Sequence, residues 1–316
     1  MPELPEIAAY LHALEPRIRG ARLQGVRIGS FSLLKTYDPP LDDAAGRTVT
    51  GLDRIGKRIV IRLDGGRALV IHLMVAGRLH WEPAGKAIPR KYGQAAFDFD
   101  EGTLMLTEAG TKRRASVHYV ATEESLQALD PGGIEVIGSS LEAFRAGLTA
   151  ERHTLKRALT DARFLSGIGG AFADEILHRA RLSPLQTVDN LTGNEIERLW
   201  RAARDVLAEW VAIRIAEIGA GFPEKVTSFH PRMAVHGKHG QPCPACGAPI
   251  QRIVYADHET NYCPRCQTGG RILADRSLSR LLREDWPRTL EELEDLNRSA
   301  AGARPRAGNP STKGTR

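Results

Sequence analysis

The apolar residues near the start of the chain recur at helical spacing. This pattern predicts one amphipathic helix that ends near Gly20, with Pro16 bending or shortening it. Its apolar face would anchor the first residues of the chain against a core. The recurring positions are Ile7, Tyr10, Leu11, Leu14 and Ile18.

After residue 20 the pattern changes to short apolar runs separated by turn residues. An Asp-Gly-Gly turn at 64–66 and an Asp-Glu-Gly turn at 100–102 each separate two such runs, which predicts two hairpins. Roughly eight strands without intervening helices predict an antiparallel β-sandwich that extends to about residue 136. The clearest predicted strands are 59–63, 68–75, 97–99, 104–106 and 117–120.

Beyond residue 140 the pattern becomes helical. Residues 155–163 and 171–181 predict two short helices around a glycine-rich turn at 165–170, and a capping-box pattern at Thr192 opens a long helix that stops at Gly219. No strand precedes the glycine cluster, so it does not fit a dinucleotide-binding loop. We interpret it as a relative of the helix-turn-helix whose backbone amides face an anion such as phosphate.

All four cysteines fall in one segment as two Cys-x-x-Cys pairs with sixteen residues between them, at Cys243, Cys246, Cys263 and Cys266. Two close pairs flanked by turn residues predict one tetrahedral zinc site. Disulfides are the alternative, and a cytoplasmic location disfavours them. Four thiolates leave no open position for water, so the zinc would be structural and would stiffen a β-hairpin at 251–262.

Composition narrows the class of protein. The chain has 316 residues, 42% of them hydrophobic, which suffices for two domains with cores and is too polar for a membrane span. No signal sequence precedes the first helix, so we expect a cytoplasmic protein. The net charge is +6, and the stretches 109–122 and 226–256 hold basic residues without any acid. Such stretches suit a phosphate backbone, although each alone is also typical of a solvated surface.

The first residues offer candidate chemistry. Methionine before proline is commonly trimmed, which would leave Pro2 with a free secondary amine. An α-amino group titrates near ~8, against ~10.4 for lysine, so more of it is ready to attack a carbon at neutral pH. Glu3 is a neighbouring candidate acid. The alternative is that these residues are an ordinary helix start.

The opening Met-Pro-Glu-Leu-Pro-Glu, the glycine turn near Lys156 and the late four-cysteine finger occur together in one order. In these features the chain resembles the formamidopyrimidine-DNA glycosylase and endonuclease VIII family over residues 1 to about 267. The resemblance implies an α+β multidomain protein with a catalytic β-sandwich domain (1–140), a helix-two-turns-helix domain (141–228) and a zinc finger (229–267). Residues 268–316 lie outside it and are expected to be a basic, partly disordered extension. Within it we expect a short helix at 278–296 and a disordered tail after Leu296.

The resemblance also implies a function and a set of site residues. It implies a monomeric, bifunctional DNA glycosylase and abasic-site lyase that acts on damaged double-stranded DNA in the cytoplasm, at the nucleoid, and flips out the damaged base. Pro2 would attack C1′, Glu3 would act on the sugar oxygen, and Lys57 would approach the damaged site and its phosphate. Glu175 corresponds to an acidic residue of the family. The implied DNA contacts are His72, Arg113, Arg114, Lys156, Gly170 and His258.

The chain departs from the family pattern at four of its positions. Val75 stands where a methionine is usual, and Ala115 replaces a phenylalanine that helps to fill the gap left by the flipped base. Gly170 replaces a phosphate-binding asparagine, and His258 falls where an arginine is usual. The segment 219–237 also lacks the longer loop that caps oxidised purines. These departures leave the preferred lesion open. They also leave two alternatives, a DNA-binding protein that recognises lesions or structured DNA without catalysis, and an abasic-site lyase with little base excision.

Overall fold

The computed structural model describes residues 1–110, 112–224, 226–227, 229–255, 258–274 and 287–302. In this part of the chain no helix is both long enough and apolar enough to cross a membrane.

The N-terminal helix forms as its spacing predicts. Helix α1 spans Leu4–Ile18 and continues for two residues beyond Pro16, so the proline does not end it. The side chains of Ile7, Tyr10 and Leu14 are fully buried. They belong to the core of the following sheets, which fixes the position of the residues that precede the helix.

Eight strands then form two four-stranded antiparallel sheets, which confirms the predicted sandwich. The first sheet has the order β1 (Leu23–Ile28), β6 (Gly93–Phe99), β7 (Gly102–Glu108) and β5 (Gly77–Glu82). The second has the order β2 (Val49–Ile55), β3 (Arg58–Leu63), β4 (Arg67–His72) and β8 (Ser116–Val120). One core lies between the sheets and α1.

The predicted strand at 68–75 is too long. β4 ends at His72, and the chain turns back so that the Gly77 amide donates to the Leu73 carbonyl at 2.9 Å. Met74 lies inside this turn with φ at 51°, in the left-handed region that side chains other than glycine rarely adopt. The turn was not predicted, because the run from 68 to 76 is apolar except for His72 and no glycine, proline or asparagine precedes Gly77.

A helical region follows the sandwich. It contains α2 (Glu123–Gln127), α3 (Leu141–Leu148), α4 (Leu155–Thr160), α5 (Gly170–Ala180) and α6 (Gly193–Ile218). The capping box of α6 is present, because the Thr192 amide donates to the Glu195 carboxylate at 2.8 Å. The apolar faces of α5 and α6 share a second core.

The last region is a small finger built on a two-stranded sheet of β9 (Gln251–Tyr255) and β10 (His258–Tyr262), followed by α7 (Pro264–Thr268). Helix α8 spans Leu290–Gly302, so it overlaps the end of the helix predicted at 278–296 and continues into the segment expected to be a disordered tail. Leu290 is 4% exposed and packs in the core of the finger. The rest of the predicted extension, at 275–286 and 303–316, lies outside the described residues.

Candidate active site and zinc centre

The carboxylate of Glu3 lies at the N-terminus of α5. Its Oε2 accepts from the amides of Gly169 at 2.6 Å and Phe172 at 3.2 Å, and its Oε1 accepts from the Ala171 amide at 2.9 Å. These amides have no partner within the helix, and the positive end of the helix dipole favours a negative charge there. The glycine-rich turn was predicted to face an anion such as phosphate, and in the structure the anion at these amides is the Glu3 side chain.

Gly169 makes this approach possible. A Cβ atom added at this glycine would lie 2.5 Å from Glu3 Cδ and 2.6 Å from Oε1, closer than non-bonded atoms can come. The next residue differs, since a Cβ at Gly170 meets no atom within 4 Å. Only the first of the two glycines is required by the position of the Glu3 carboxylate.

Lys57 approaches the same turn from the sandwich. Its Nζ donates to the Ile168 carbonyl at 2.9 Å, from the hairpin turn between β2 and β3. Burial lowers the pKa of the Lys57 ammonium, the nearby Glu3 carboxylate opposes this shift, and Arg58 adds to it. An ammonium has three N–H groups, so two remain for a substrate.

The α-amine of the chain lies beside these groups. Burial lowers the pKa of the Met1 amine below its ordinary value, Glu3 opposes the shift, and Arg78 adds to it. Pro2 is buried. The structure therefore brings together Pro2, Glu3 and Lys57, the three residues predicted to be catalytic.

Glu6 and Arg214 form a buried pair that the sequence did not single out. Glu6 Oε2 accepts from the Glu3 amide at 2.9 Å, and its Oε1 accepts from Arg214 Nη2 at 3.1 Å. Burial raises the pKa of Glu6 to about 7, against the opposing effect of Arg214. The pair fixes the backbone of Glu3 and links α1 to α6. It also lines a recess of about 200 Å³ whose wall includes Phe222 and Val226.

The predicted DNA contacts of the sandwich lie at one end of the second sheet. His72 ends β4, where burial, followed by the charges of Arg58 and Lys57, lowers its pKa to about 4. Arg113 and Arg114 are exposed in the loop before β8. The buried carboxylate of Glu108 holds this loop by accepting from the backbone amide of Arg114 at 2.9 Å.

Two of the departures from the family pattern have clear environments. Val75 is 63% exposed at the tip of the turn after β4. Ala115 is 5% exposed, and its amide also donates to Glu108, so it faces inward. A short side chain at each position leaves little apolar bulk next to His72.

Lys156 is engaged within the protein. Its Nζ donates to Asp174 Oδ1 at 2.7 Å and to the Glu259 carbonyl at 2.6 Å, so it links α4, α5 and β10 and keeps one N–H. Asp174 Oδ2 also accepts from His236 Nδ1 at 2.9 Å. These contacts join α5 to the finger.

Glu175 completes this junction. Its carboxylate accepts from the consecutive amides of Ala234, Val235 and His236 at 2.8 to 2.9 Å, and burial raises its pKa. Gly170 is the first residue of α5, with open space where a side chain would be. The backbone of His258 pairs with that of Tyr255 in the finger hairpin.

The four cysteines fit one zinc ion. All four Sγ atoms lie within 4.8 Å of one another, with Cys243 to Cys266 at 3.9 Å and Cys246 to Cys263 at 3.4 Å. Sulfurs bound to one zinc at ~2.3 Å lie about 3.8 Å apart in a tetrahedron. His178 of α5 places Nε2 at 3.3 Å from Cys243 Sγ, where a neutral imidazole would donate to a thiolate. The predicted single structural zinc site is confirmed.

Comparisons with known proteins place these features in one family. Models of the formamidopyrimidine-DNA glycosylase N-terminal domain and H2TH domain match residues 1–116 and 136–221. A model of the zinc finger found in FPG and IleRS matches residues 240–269.

Relatives and solved structures agree with the family models. The chain is 35% identical over 283 residues to the formamidopyrimidine-DNA glycosylase of Heliobacterium modesticaldum, covering 84% of this chain and 100% of the relative. The crystal structure of the MutM (Fpg) protein of Thermus thermophilus is 33% identical, with a TM-score of 0.72 over 84% of this chain and 98% of that protein. The complex of Lactococcus lactis Fpg with DNA containing an abasic site, at 23% identity, supports the fold, with a TM-score of 0.74 over 84% and 99% of the two chains.

Proposed function

The chain belongs to the formamidopyrimidine-DNA glycosylase family, and from that premise we propose how its own residues carry out the reaction. The protein is a DNA glycosylase of base-excision repair with abasic-site lyase activity and a structural zinc. Its substrate is DNA that contains damaged bases or abasic sites. We place it in the cytoplasm at the nucleoid.

The observation that carries the proposal is the assembly around Glu3. Three amides at the N-terminus of α5 donate to the Glu3 carboxylate, the Glu3 amide donates to the Glu6 carboxylate, and Lys57 contacts the same turn. A carboxylate has about four acceptor sites, and three are filled, which leaves one on Oε1 for a substrate. Such fixed geometry supports a catalytic role better than a purely structural one, because it orients a reactive group before the substrate arrives.

The reaction begins at the Pro2 amine once Met1 has been removed. The nitrogen lone pair forms a bond to C1′ of the damaged nucleotide while the bond from C1′ to the base breaks, and the base leaves with the electron pair and takes up a proton from water. The amine proton passes to Glu3 and from there to the sugar ring oxygen. The bond between that oxygen and C1′ then opens as the nitrogen lone pair forms an iminium ion, the Schiff base.

The lyase step follows from this iminium ion. It acidifies the protons at C2′, and loss of one of them expels the phosphate on C3′, which cleaves the strand. Lys57 has two unused N–H groups beside this site, which suit the phosphate of the damaged nucleotide. The recess beside Glu6 and Arg214 would take the displaced base.

The remaining predicted residues are proposed to hold the DNA. His72, Arg113 and Arg114 would contact the strand from the β-sandwich domain (1–140), and Lys156 and the Gly170 amide from the helical domain (141–228). His258 would contact it from the finger (229–267). The bonds that Lys156 makes to Asp174 and Glu259 support a second role, fixing the finger against the helical domain.

An abasic-site lyase with little base excision is the second candidate. It is favoured by Val75, which is 63% exposed where the family has methionine, and by the small, inward-facing Ala115. A shorter wedge would stabilise a flipped nucleotide less, and this matters less at an abasic site, which has no base to unstack or unpair. The non-catalytic alternative is disfavoured by the named relatives.

Oligonucleotide duplexes that each carry one lesion or one abasic site separate these candidates. Products are analysed with and without hot alkali, which cleaves every abasic site and so reports base excision apart from the lyase step. We expect strand cleavage without alkali on at least one damaged base. Cleavage of the abasic duplex alone would support the second candidate, and cleavage of neither would contradict the proposal.

A further inference from the structure

Three loops at one end of the β-sandwich form a surface, and only Arg113 and Arg114 of this surface have a role in the proposed function. They are residues 29–37, 88–92 and 109–116, and we call them the basic–aromatic surface. They contain no aspartate or glutamate. Six cationic side chains of these loops are exposed: Lys35, Arg90, Lys91, Lys112, Arg113 and Arg114.

The loops are bonded to one another, so their side chains belong to one surface. The first loop lies against the second, because a Cβ atom added at Gly29 would lie 3.0 Å from Ile88 Cγ2. Arg113 Nη2 donates to the Lys91 carbonyl at 2.5 Å, which joins the second to the third. The Lys35 amide donates to the Val117 carbonyl at 2.9 Å, which joins the first loop to β8.

Three exposed aromatic rings belong to the same loops. Phe31 is 90% exposed, Tyr37 is 75% exposed and Tyr92 is 44% exposed. Among the side chains that the structure describes, only Phe229 is a further aromatic residue with such exposure. Apolar rings concentrated on a surface, with no core to pack against, indicate a binding site.

The charge of this surface is uncompensated within the described residues. None of its six cations forms an ion pair with a carboxylate there. The carboxylate of Glu108 is buried and bonded to the amides of Arg114 and Ala115, and the exposed Asp38 follows the first loop without an ion pair to these cations. A polyanion would therefore meet cations that no carboxylate of the described residues neutralises.

The surface adjoins the catalytic cleft. Ser116, at the end of the third loop, pairs with His72 in the register of β8 and β4. A Cβ atom added at Gly110 would lie 3.5 Å from the Cβ of Ala76, in the turn that carries Val75. A strand held at His72 can thus continue onto these loops.

We propose that the basic–aromatic surface binds unpaired nucleotides of the DNA strand next to the cleft. Cationic side chains interleaved with exposed rings suit a single strand, because unpaired bases stack on aromatic faces while the phosphates meet the cations. Paired bases are already stacked on their neighbours and offer no free face. The protein would prefer damaged sites beside a tail, a gap or a bubble. The proposal rests on the proposed function, because that function brings DNA to the cleft.

Fluorescence anisotropy of the zinc-loaded full chain tests it with undamaged DNA. One probe is a blunt duplex, and the other is the same duplex with a single-stranded tail of about ten nucleotides, a length within the range of single-strand sites. We expect tighter binding of the tailed probe. Phe31→Ala, Tyr37→Ala and Tyr92→Ala should each weaken it by about tenfold while changing blunt-duplex binding little.

Matched variants show whether weaker binding comes from lost stacking or from lost folding. Tyr37→Phe and Tyr92→Phe keep the rings and should bind like the parent, and Leu185→Ala removes an exposed apolar side chain outside the surface. Lys91→Ala should lower the slope of log affinity against log salt by about 0.7 on the tailed probe. Melting temperatures equal to that of the parent confirm that each variant folds.

Two results would overturn the proposal. Equal affinity of the parent for the two probes would show that unpaired bases are not recognised. If the alanine variants lose affinity equally for both probes, the surface contacts the duplex instead. The failure of this proposal is distinguishable from the failure of the proposed function. The probes carry no lesion, so a catalytically inactive protein can still prefer the tail, and an active glycosylase can lack the preference.

Discussion

Replacing Gly169 by alanine tests whether the position of the Glu3 carboxylate matters for catalysis. The new Cβ would lie 2.5 Å from Glu3 Cδ, whereas ordinary van der Waals contact begins at 3.4 Å. The carboxylate must therefore retreat by about 1 Å. A displacement of that size disrupts its short bonds to the amides of Gly169 and Ala171, at 2.6 and 2.9 Å. A misplacement of about 1 Å in a catalytic site costs roughly 10²-fold in rate.

Gly170→Ala is the matched control. It makes the same chemical change one residue later, where a Cβ atom meets nothing within 4 Å. Both variants are compared with the parent in single-turnover cleavage of a duplex that contains an abasic site, and their melting temperatures and DNA affinities are measured in parallel. We expect a loss of about 10²-fold in the cleavage step for Gly169→Ala. Gly170→Ala should cleave at nearly the parent rate at saturating enzyme, because a change at this proposed DNA contact affects affinity and not the position of Glu3.

The comparison can refute the argument. If Gly169→Ala cleaves as fast as Gly170→Ala while folding normally, the bonds at the α5 terminus do not position a catalytic carboxylate. If it loses activity only in proportion to a lower DNA affinity, the turn acts in binding. A loss in the cleavage step at saturating enzyme supports the account.

Three further predictions follow from the structure. Met74→Gly should be about 1 kcal/mol more stable than Met74→Ala, because both lose the side chain but only glycine adopts φ of 51° without strain; equal melting temperatures would contradict this. Single-turnover cleavage should rise with pH as the Pro2 ammonium loses its proton, with a midpoint below ~8, because burial lowers the pKa of the amine at Met1 and Pro2 is buried as well; a midpoint at or above that value would contradict this. His178→Phe should speed zinc transfer to a chelator by about tenfold or more through loss of the bond to Cys243, and an unchanged rate would show that this bond does not hold the metal site.

Local features of the fold could be predicted from the sequence, because short segments carry their own signals. The α6 capping box, the two Cys-x-x-Cys pairs and the alternation at 59–63 each specify structure within a few residues. The turn at Met74 was missed because its residues are apolar and none of the usual turn formers marks it. A backbone conformation imposed by the surroundings leaves no such local signal.

The site could be predicted in its parts but not in its assembly. The opening residues suggested Pro2 and Glu3, and the glycine turn suggested an anion site. That the anion is Glu3 itself depends on a contact across 166 positions of sequence, at Gly169. The buried pair of Glu6 and Arg214 spans 208 positions and was missed for the same reason. No spacing rule relates residues that only the packing of separate regions brings together.

The extension could be predicted only in outline. A disordered tail was expected after Leu296, but α8 continues to Gly302, and Leu290 at its start packs in the finger core. One leucine that fits a small core outweighs the polar average of the segment around it. Composition describes a segment as a whole and does not identify which of its residues is buried.

The central claim is that the buried N-terminal amine forms the covalent intermediate. Incubation with a duplex that contains an abasic site under borohydride, followed by proteolysis and mass spectrometry, locates the trapped DNA directly. The account predicts that Met1 is absent and that the DNA is attached to the nitrogen of Pro2. An adduct on a lysine such as Lys57, or no adduct on chains that demonstrably begin at Pro2, would contradict it.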